Sequence, residues 1–495
     1  MKVDIKRLEK VNNIIVKTAN DFGLDFFPQE FDIIPSQKML EIMAYHLPVN
    51  YSHWSFGRDY EIERTKYEHG FGIPYEVVLN SDPSRAYLMN TNPFAVQVLV
   101  MAHVYAHNDF MKNNIHFSPV RRDMIPSASE AAARFRKYEK DYGAVNVEKV
   151  IDAGMSIELN IDPDFFIKTE TEEEQRDRLL GTSQSKKEGE FDDLLTDGRR
   201  KLTNEERERV RTKIPPEPDQ DILNFIINNS PKPLREWQKD VLSLIRMQSL
   251  YFMPQRRTKI MNEGWATYWH MKIMNRLFQE GYLTGEEHGF YNLYNSRVIA
   301  FNRRSMNPYL VGSKILTDIE DRWNRGCFGK EWDECSDYTA RKNWNKNIGE
   351  GRAKIFEVRR SYSDWFFMDH FLTEDLIDKL DLYIYQAQEY GNEIRWVIVE
   401  KDWKVIKELI TRSLSHFGIP KIMVEDGDFG GRTELYLKHY YDGMPLDQEY
   451  VRRTMEHIYY LWNRPIHLET IKKEMNKDQR KLLTYNGSAH LEVNL

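Results

Sequence analysis

Apolar residues recur at the spacing of amphipathic helices through most of the first 380 residues of the chain. Residues 1–22 carry one such stripe, formed by Leu8, Val11, Ile15 and Ala19. Longer helices are predicted from the Asn92-Pro93 pair to about Lys112, and from the segment around Glu263 to about Gln279, where Gly281 is a stop signal. The pattern therefore predicts a mainly α-helical body with a few strands.

The pattern changes after about residue 390, where strand-like alternation is interleaved with two helical stretches. The predicted elements, in order, are a strand at 394–400, a helix at 402–417, strands at 421–425 and 435–441, a helix at 447–462 and a strand at 466–469. The order βαββαβ is typical of a small ferredoxin-like α+β domain. We therefore expect a helical body over residues 1–380 and a C-terminal α+β domain over residues 381–495.

Residues 169–213 differ from the rest of the helical body because acidic and basic side chains crowd together and Phe191 is the only aromatic. Such a composition cannot bury enough apolar surface to form a core of its own. We expect a solvated, charged insertion without catalytic residues. It contains one predicted helix, which starts at Thr203 because Thr203 and Glu206 have capping-box spacing.

Composition and charge exclude several classes of protein. Hydrophobic residues are 41% and charged residues 30%, as in a globular protein. The net charge of −7 and the short, scattered basic clusters argue against nucleic-acid binding. Cys327 and Cys335 have no zinc or redox spacing. The apolar runs are far shorter than the roughly 20 residues of a membrane helix, and the N-terminus does not resemble a signal peptide, so we expect a cytoplasmic protein.

Two segments carry candidate metal chemistry. His103 and His107 lie four residues apart in a predicted helix, the spacing by which one helix presents two imidazoles to one metal ion. Glu263 and His270 lie seven residues apart in another helix and share a face. Two histidines and a glutamate from two helices form a plausible metal site. The alternative is that the two imidazoles pack and form hydrogen bonds in a helical core.

The segment Asn262-Glu263-Gly264-Trp265-Ala266 is similar to one in zinc peptidases whose first helix carries HExxH and whose second helix supplies a glutamate ligand. The similarity implies a zincin-like site with His103, His107 and Glu263 as zinc ligands. Val104, however, stands where those peptidases place their general base. Another carboxylate would then have to activate water, and the candidates are Asp109, Glu139 and Glu158.

The role of His270 stays open between three alternatives. As a fourth ligand it would close the site and make it structural. It could instead orient a ligand or transfer a proton, or it could be a buried core histidine. Glu263 and His270 are therefore the catalytic candidates, and zinc is the expected cofactor.

The chain also resembles the SpoVR family, the stage V sporulation protein R type, over almost its full length. The matching segments are Ser52-His53-Trp54-Ser55-Phe56-Gly57, Asn80-Ser81-Asp82-Pro83, Ala102-His103-Val104-x-Ala106-His107-x-Asp109-Phe110, Lys112-Asn113-Asn114, Arg121-Arg122-Asp123-Met124, Tyr251-Phe252-x-Pro254-Gln255, Asn262-Glu263-Gly264-Trp265-Ala266, Asn307-Pro308-Tyr309-x-x-Gly312 and Val358-Arg359-Arg360. The charged stretch 169–213 lies outside them. The resemblance implies a link to spore cortex formation, a peptidoglycan process, or to a stress response.

Two functions are compatible with these observations. The first is a zinc-dependent hydrolase of amide bonds in a peptide or cell-wall precursor, which lacks the usual HExxH glutamate. The second is a non-catalytic scaffold or regulator. For this second function the resemblance implies two partners, a PrkA-type serine kinase and a YhbH-type protein. Val104 favours the second function, and the polar and aromatic residues around the site favour the first.

Overall fold

A computed structural model of the chain describes residues 4–48, 51–69, 76–167, 170–181, 203–391, 393–474 and 477–495. The fold is mainly helical, and its strands form three sheets within these residues. Among the described residues, no helix has the length and apolar character needed to cross a membrane.

The described residues form twenty α-helices, two short 3₁₀-helices (Ile115–Phe117 and Ser415–Gly418) and ten strands. The helices are α1 (Ile5–Asp21), α2 (Ser36–Ala44), α3 (Trp54–Glu68), α4 (Phe94–Asn113), α5 (Met124–Tyr142), α6 (Ala144–Ser156), α7 (Glu172–Leu180), α8 (Asn204–Thr212), α9 (Ile222–Asn229), α10 (Glu236–Arg257), α11 (Lys259–Gln279), α12 (Gly285–Val298), α13 (Pro308–Arg325), α14 (Lys330–Asp333), α15 (Tyr338–Lys342), α16 (Gly351–Ser361), α17 (Asp364–Phe371), α18 (Glu374–Lys379), α19 (Trp403–Leu414) and α20 (Gln448–Trp462). The strands are β1 (Gln29–Ile34), β2 (Glu76–Leu79), β3 (Ser84–Met89), β4 (Ile384–Tyr390), β5 (Glu393–Glu400), β6 (Ile422–Phe429), β7 (Glu434–His439), β8 (Ile466–Glu474), β9 (Lys477–Tyr485) and β10 (His490–Asn494).

Packing divides the chain into two compact units, each built from two stretches of sequence. The first unit comprises residues 1–132 and 251–417, and the second comprises residues 133–250 and 418–495. The predicted domain boundary between residues 380 and 381 stays a prediction, because compact packing does not establish which parts of a chain fold independently.

The first unit is organised around α4, in which every residue from Ala95 to Met111 is buried. Helices α1, α11, α12 and α16 pack against α4, and α13 packs against α11. A three-stranded sheet of order β1-β3-β2 lies beside it, with β1 and β3 parallel and β2 and β3 antiparallel. The stripe predicted for α1 is confirmed, since its four apolar residues are all buried.

The second unit contains a five-stranded sheet of order β10-β9-β8-β7-β6. Strands β7 and β8 are parallel because α20 connects them, and the other neighbouring strands are antiparallel. Helix α20 packs against β8 and β9 through an apolar face that includes Val451, Met455 and Ile458.

The small C-terminal sheet is confirmed, but the ferredoxin-like arrangement is not. The predicted first strand, β5, pairs with β4 in a separate two-stranded sheet, and β9 and β10 extend the main sheet instead. Local pairing explains the difference, because only a short turn containing Gly391, whose φ is +63°, separates β4 from β5. The zincin-like arrangement of the helical body also stays a prediction.

The charged stretch 169–213 is described only in part, since residues 169 and 182–202 lie outside the described residues. The helix predicted from Thr203 is confirmed as α8, with both hydrogen bonds of the capping box formed between Thr203 and Glu206. A second capped helix, α7, was not predicted. Neither α7 nor α8 buries a residue, as expected for a solvated segment.

Candidate metal centre

Helix α4 presents both candidate histidines on one buried face of the first unit. His103 and His107 lie one turn apart, with ring centroids separated by 4.6 Å and planes nearly perpendicular at 87°. Only 4% of the His103 side chain and 7% of the His107 side chain is exposed. Two imidazoles this deeply buried must find partners for their nitrogen atoms, because unpaired buried polar groups are costly.

Helix α11 carries Glu263 toward these histidines, and two features fix its position. Its first turn is capped from α17, where Asp364 accepts hydrogen bonds from the backbone N–H groups of Ile260 at 2.8 Å and Met261 at 2.9 Å. At Gly264, α11 meets α13 so closely that an added Cβ would lie 2.4 Å from the backbone of Gly312. The glycine beside Glu263 is therefore required by helix packing.

A buried polar cluster joins α11 to α4 on the other side of Glu263. Asp109 accepts hydrogen bonds from Trp265 Nε1 at 2.8 Å, from Arg359 Nη1 at 2.7 Å and from the Asp25 backbone N–H at 2.8 Å. Burial raises the pKa of Asp109 to about 6, against the lowering effect of Arg359. The Asp109 carboxylate therefore accepts a hydrogen bond that fixes the Trp265 side chain, two residues after Glu263.

Four side chains converge between α4, α11 and the first residue of β2. Glu263 Oε2 lies 3.4 Å from His107 Nε2 and 3.6 Å from His103 Nε2. Glu76 Oε1 lies 3.8 Å from His103 Nε2. Glu76, His103 and His107 each offer one ligand atom within 4.8 Å of the other two. The structure therefore brings together the three predicted ligands and adds a second carboxylate.

Hydrogen bonds on the far side of each ring determine which nitrogen carries a proton. Asn262 Oδ1 lies 2.8 Å from His107 Nδ1. Because an amide oxygen can only accept, His107 Nδ1 is the donor, and a neutral ring then has its lone pair on Nε2. The lone pair points toward Glu263.

The same reasoning applies to His103 through a two-step chain. Asn295 Oδ1 accepts from His270 Nε2 at 2.9 Å, which leaves His270 Nδ1 as an acceptor. His103 Nδ1, at 2.9 Å, must therefore donate to it, so His103 Nε2 also has a lone pair facing the cluster. Burial, followed by the neighbouring His103, lowers the pKa of His270 to about 3, which keeps this ring neutral.

The centre of the cluster is short of hydrogen-bond donors when both imidazole rings are neutral. Among the described residues, His103 Nε2 and Glu263 Oε2 are buried and have no hydrogen-bond partner. Burial raises the pKa of Glu263, but the two imidazoles outweigh this effect and lower it below its usual range. Burial lowers the pKa of His107, and Glu263 more than reverses that effect. Burial also raises the pKa of Glu76. The cluster thus competes for positive charge, which a metal cation would supply.

The other predicted site residues lie elsewhere. His270 sits behind His103, with both ring nitrogens occupied by His103 and Asn295. Val104 is fully buried in α4 and provides no carboxylate. Glu139 and Glu158 belong to the second unit. The roles predicted for Glu263 and His270 in catalysis stay predictions.

Glu76 is the site residue that sequence reasoning missed. It lies 27 positions before His103 in a short apolar strand, where no local spacing relates it to a histidine. The pairing of β2 with β3 places Glu76 opposite the buried Leu88, and β2 and β3 pack against α4. Only this tertiary arrangement brings the carboxylate to the imidazoles.

Comparison with known proteins matches the chain over residues 2–473. The family model described as SpoVR like protein matches residues 2–419, and the one described as SpoVR-like C-terminal domain matches residues 420–473. A protein of Escherichia coli (strain K12), named "Uncharacterized protein YcgB", is 28% identical over 477 residues, which cover 92% of this chain and 90% of that protein. No solved structure matches the chain significantly. All four cluster residues fall within the first matched range.

Proposed function

The chain belongs to the SpoVR family, and on that premise we propose that His103, His107 and Glu263 hold one zinc ion that serves to hydrolyse an amide bond. The main observation behind this proposal is that the Nε2 atoms of two imidazoles and one carboxylate oxygen of Glu263 converge in a buried place. His103 Nε2 and Glu263 Oε2 have no hydrogen-bond partner there among the described residues. Native proteins rarely leave such atoms unpaired, so a cation is the simplest partner.

The distances support a tetrahedral ion. Zinc bonds to nitrogen and oxygen of about 2.0–2.2 Å place neighbouring ligand atoms about 3.3–3.6 Å apart. The separations of Glu263 Oε2 from the two Nε2 atoms, 3.4 and 3.6 Å, fall in this range. Two nitrogens and one oxygen, without sulfur, suit zinc and leave one coordination position open.

Zinc would supply Lewis acidity, which lowers the pKa of a water to about 7 and polarises a carbonyl oxygen. The protein orients the two imidazole rings through the hydrogen bonds that His107 Nδ1 donates to Asn262 and His103 Nδ1 donates to His270. Such outer partners commonly tune metal affinity and orientation. We assign His270 this orienting role, with Asn295 fixing its tautomer.

The cluster lies close to the surface. The Glu76 side chain is 15% exposed and the Glu263 side chain is 20% exposed, although Glu263 Oε2 itself is buried. A purely structural zinc site would be closed by four protein ligands. An amide in a peptide or peptidoglycan precursor is the proposed substrate, on the expectation that links the family to spore cortex formation or to a stress response in the cytoplasm.

Metal content tests this proposal. We would purify wild type, His103→Ala and Glu263→Ala without added metal and measure bound metals by mass spectrometry. The control is Glu469→Gln, which alters a buried glutamate that already has protein donors. About one zinc per chain is expected in the wild type and control, and none in the two site variants. A folded wild type without metal contradicts the proposal.

Hydrolysis is tested on the same preparations. A panel of peptides and peptidoglycan fragments would be incubated with wild type, with chelator-treated protein and with chelator-treated protein resupplied with zinc. We expect cleavage that chelation abolishes and zinc restores. Cleavage that is equal in all three samples contradicts a metal-dependent reaction.

A second candidate is favoured by one observation, the fully buried Val104 at the position where zinc peptidases have their base. In it the protein is a non-catalytic scaffold or regulator that binds a PrkA-type serine kinase and a YhbH-type protein. Co-purification with these partners that is equal for wild type and Glu263→Ala, together with no cleavage of the panel, would favour it over hydrolysis.

A further inference from the structure

Amide hydrolysis needs a group that takes a proton from the attacking water, and α4 does not supply one. The position next to His103 is Val104, which is fully buried and apolar. Asp109, the acidic residue two positions after His107, is occupied by Trp265 and Arg359. A base must therefore come from another element.

Glu76 is the remaining carboxylate of the cluster. It is the first residue of β2, which packs against α4, and its Oε1 lies 3.8 Å from His103 Nε2. Its side chain is mostly buried but keeps 15% exposure, so it can contact both the cluster and an entering water. None of its oxygens is needed to hold another described side chain by a hydrogen bond.

Distances separate the roles of the two carboxylates. Ligand atoms of a tetrahedral zinc ion lie about 3.3–3.6 Å apart. Glu263 Oε2 meets this spacing with both imidazoles, at 3.4 and 3.6 Å. Glu76 Oε1 comes within 4 Å of one of the two Nε2 atoms, that of His103 at 3.8 Å, so it contacts one imidazole where Glu263 contacts two. If Glu76 were a fourth ligand, no position would be left for water.

We propose that Glu76 is the general base of this site and takes, from strand β2, the role that the helix residue has in HExxH peptidases. The inference rests on the proposed hydrolytic function and extends it by one catalytic residue. It predicts that Glu76 contacts the attacking water and that Glu263 does not need to.

The reaction balances with one water and one amide. An O–H bond of the water breaks and its proton moves to a Glu76 oxygen, while the water oxygen forms a bond to the amide carbonyl carbon. The C–N bond then breaks, its electron pair stays on nitrogen, and this nitrogen takes the proton from Glu76. The products are a carboxylic acid and an amine, and Glu76 is returned to its carboxylate form.

The test compares Glu76→Gln, Glu76→Asp and Glu263→Gln, with Glu30→Gln on strand β1 of the same sheet as a control. Zinc affinity is measured by competition with a chromophoric chelator. Glu263→Gln, which removes a direct ligand, is expected to weaken zinc binding by more than about 100-fold. Glu76→Gln is expected to weaken it by at most the roughly 10–100-fold that is typical of a residue outside the coordination sphere, and Glu30→Gln is expected to bind zinc as wild type does.

Two further measurements test whether Glu76 acts as the general base. Loss of a general base is expected to slow cleavage by about 10²–10⁴-fold in Glu76→Gln, with partial recovery in Glu76→Asp. In cobalt-substituted protein, the pH at which the visible absorption changes is expected to shift in Glu76→Gln and not in Glu30→Gln. This second readout requires no substrate.

The outcomes separate the two proposals. Wild type without metal overturns the proposed function. Metal in the wild type that is lost equally in Glu76→Gln and Glu263→Gln makes Glu76 a ligand and overturns the base. If Glu76→Gln keeps its metal and the visible absorption of its cobalt form changes at the same pH as in wild type, Glu76 is not the general base. If it keeps its metal and that pH shifts, the assignment of Glu76 as general base is supported.

Discussion

Two regions of the molecule bury histidine beside glutamate, the cluster between α4 and α11 in the first unit and the five-stranded sheet in the second. On the sheet, His467 contacts Thr484 Oγ1 at 2.9 Å through Nδ1 and Glu434 Oε2 at 2.8 Å through Nε2. Glu469 accepts hydrogen bonds from the Tyr436 hydroxyl and from Arg480 Nε. Each acceptor there has a protein donor.

The cluster in the first unit has the opposite arrangement. The donors of His103 and His107 point outward to His270 and Asn262, and the acceptors point inward to one another. His103 Nε2 and Glu263 Oε2 are without hydrogen-bond partners in the described part of the chain. The same residue types therefore form a network with paired donors and acceptors in one unit and a cluster with unpaired acceptors in the other. The direction of the donors, and not burial alone, is what distinguishes the proposed metal site from the sheet.

The largest expected effect comes from removing metal. A ligand at 1,000 times its Kd stabilises a protein by about 4 kcal/mol, so chelation should lower the free energy of unfolding of wild type by an amount of this order. Glu263→Gln should abolish this effect of chelation, because the metal site is lost.

The control is Glu469→Gln, whose free energy of unfolding should fall by about 1–3 kcal/mol with or without chelator, since the substitution disturbs a buried network. Denaturant unfolding measures all three. If chelation destabilises Glu263→Gln and wild type equally, the metal does not bind at Glu263, and the proposed difference between the two regions is wrong.

A smaller effect is expected from the scaffold of the cluster. Gly264→Ala places a Cβ 2.4 Å from the Gly312 backbone, so α11 must move away from α13. Overpacking of this kind costs about 1–3 kcal/mol. Zinc affinity should fall as well, although no ligand is changed. Thermal unfolding and chelator competition measure both effects.

The control for this substitution is Gly57→Ala in α3, where an added Cβ meets no atom within 4 Å. Alanine there should stabilise the helix by about 0.5–1 kcal/mol and leave zinc affinity unchanged. Equal stability changes in the two variants would show that the approach of α11 to α13 is not close.

The smallest effect is an acid-dependent one on the sheet. Arg432 and then His467 lower the pKa of Glu434 to about 2, below an unfolded value of about 4.3. A lowered folded pKa contributes stability that is present above pH 4.3 and is lost as the pH falls toward 2. Because Arg432 is largely exposed, the contribution should be below about 1 kcal/mol. The stability difference between wild type and Glu434→Gln should therefore shrink from pH 5 to pH 3. A stability difference that does not change with pH would show that Glu434 stabilises the sheet through packing and not through its charge.

Helical spacing was sufficient to predict most of the candidate site. The four-residue spacing of His103 and His107 and the face of Glu263 follow from periodicity, and the structure brings them together. The same arithmetic indicates the place of His270, because seven residues advance about 10 Å along a helix. That distance separates His270 from Glu263 and places it against His103 Nδ1, the ring nitrogen that faces away from the cluster.

The rest depended on contacts between distant segments. Glu76 reaches the cluster only through the pairing of β2 with β3 and the packing of both on α4. In the C-terminal region the predicted strands and helices largely formed, but β5 pairs with β4 rather than with the main sheet. Apolar alternation indicates which residues are extended and does not identify the neighbouring strand.

The most direct test of the central claim is anomalous diffraction from crystals of the zinc-loaded protein, recorded on both sides of the zinc absorption edge. We predict a single peak within about 2.0–2.2 Å of His103 Nε2, His107 Nε2 and one oxygen of Glu263. Glu76 should lie outside this bonding distance. A zinc-loaded crystal with no peak between α4 and α11 would contradict the account.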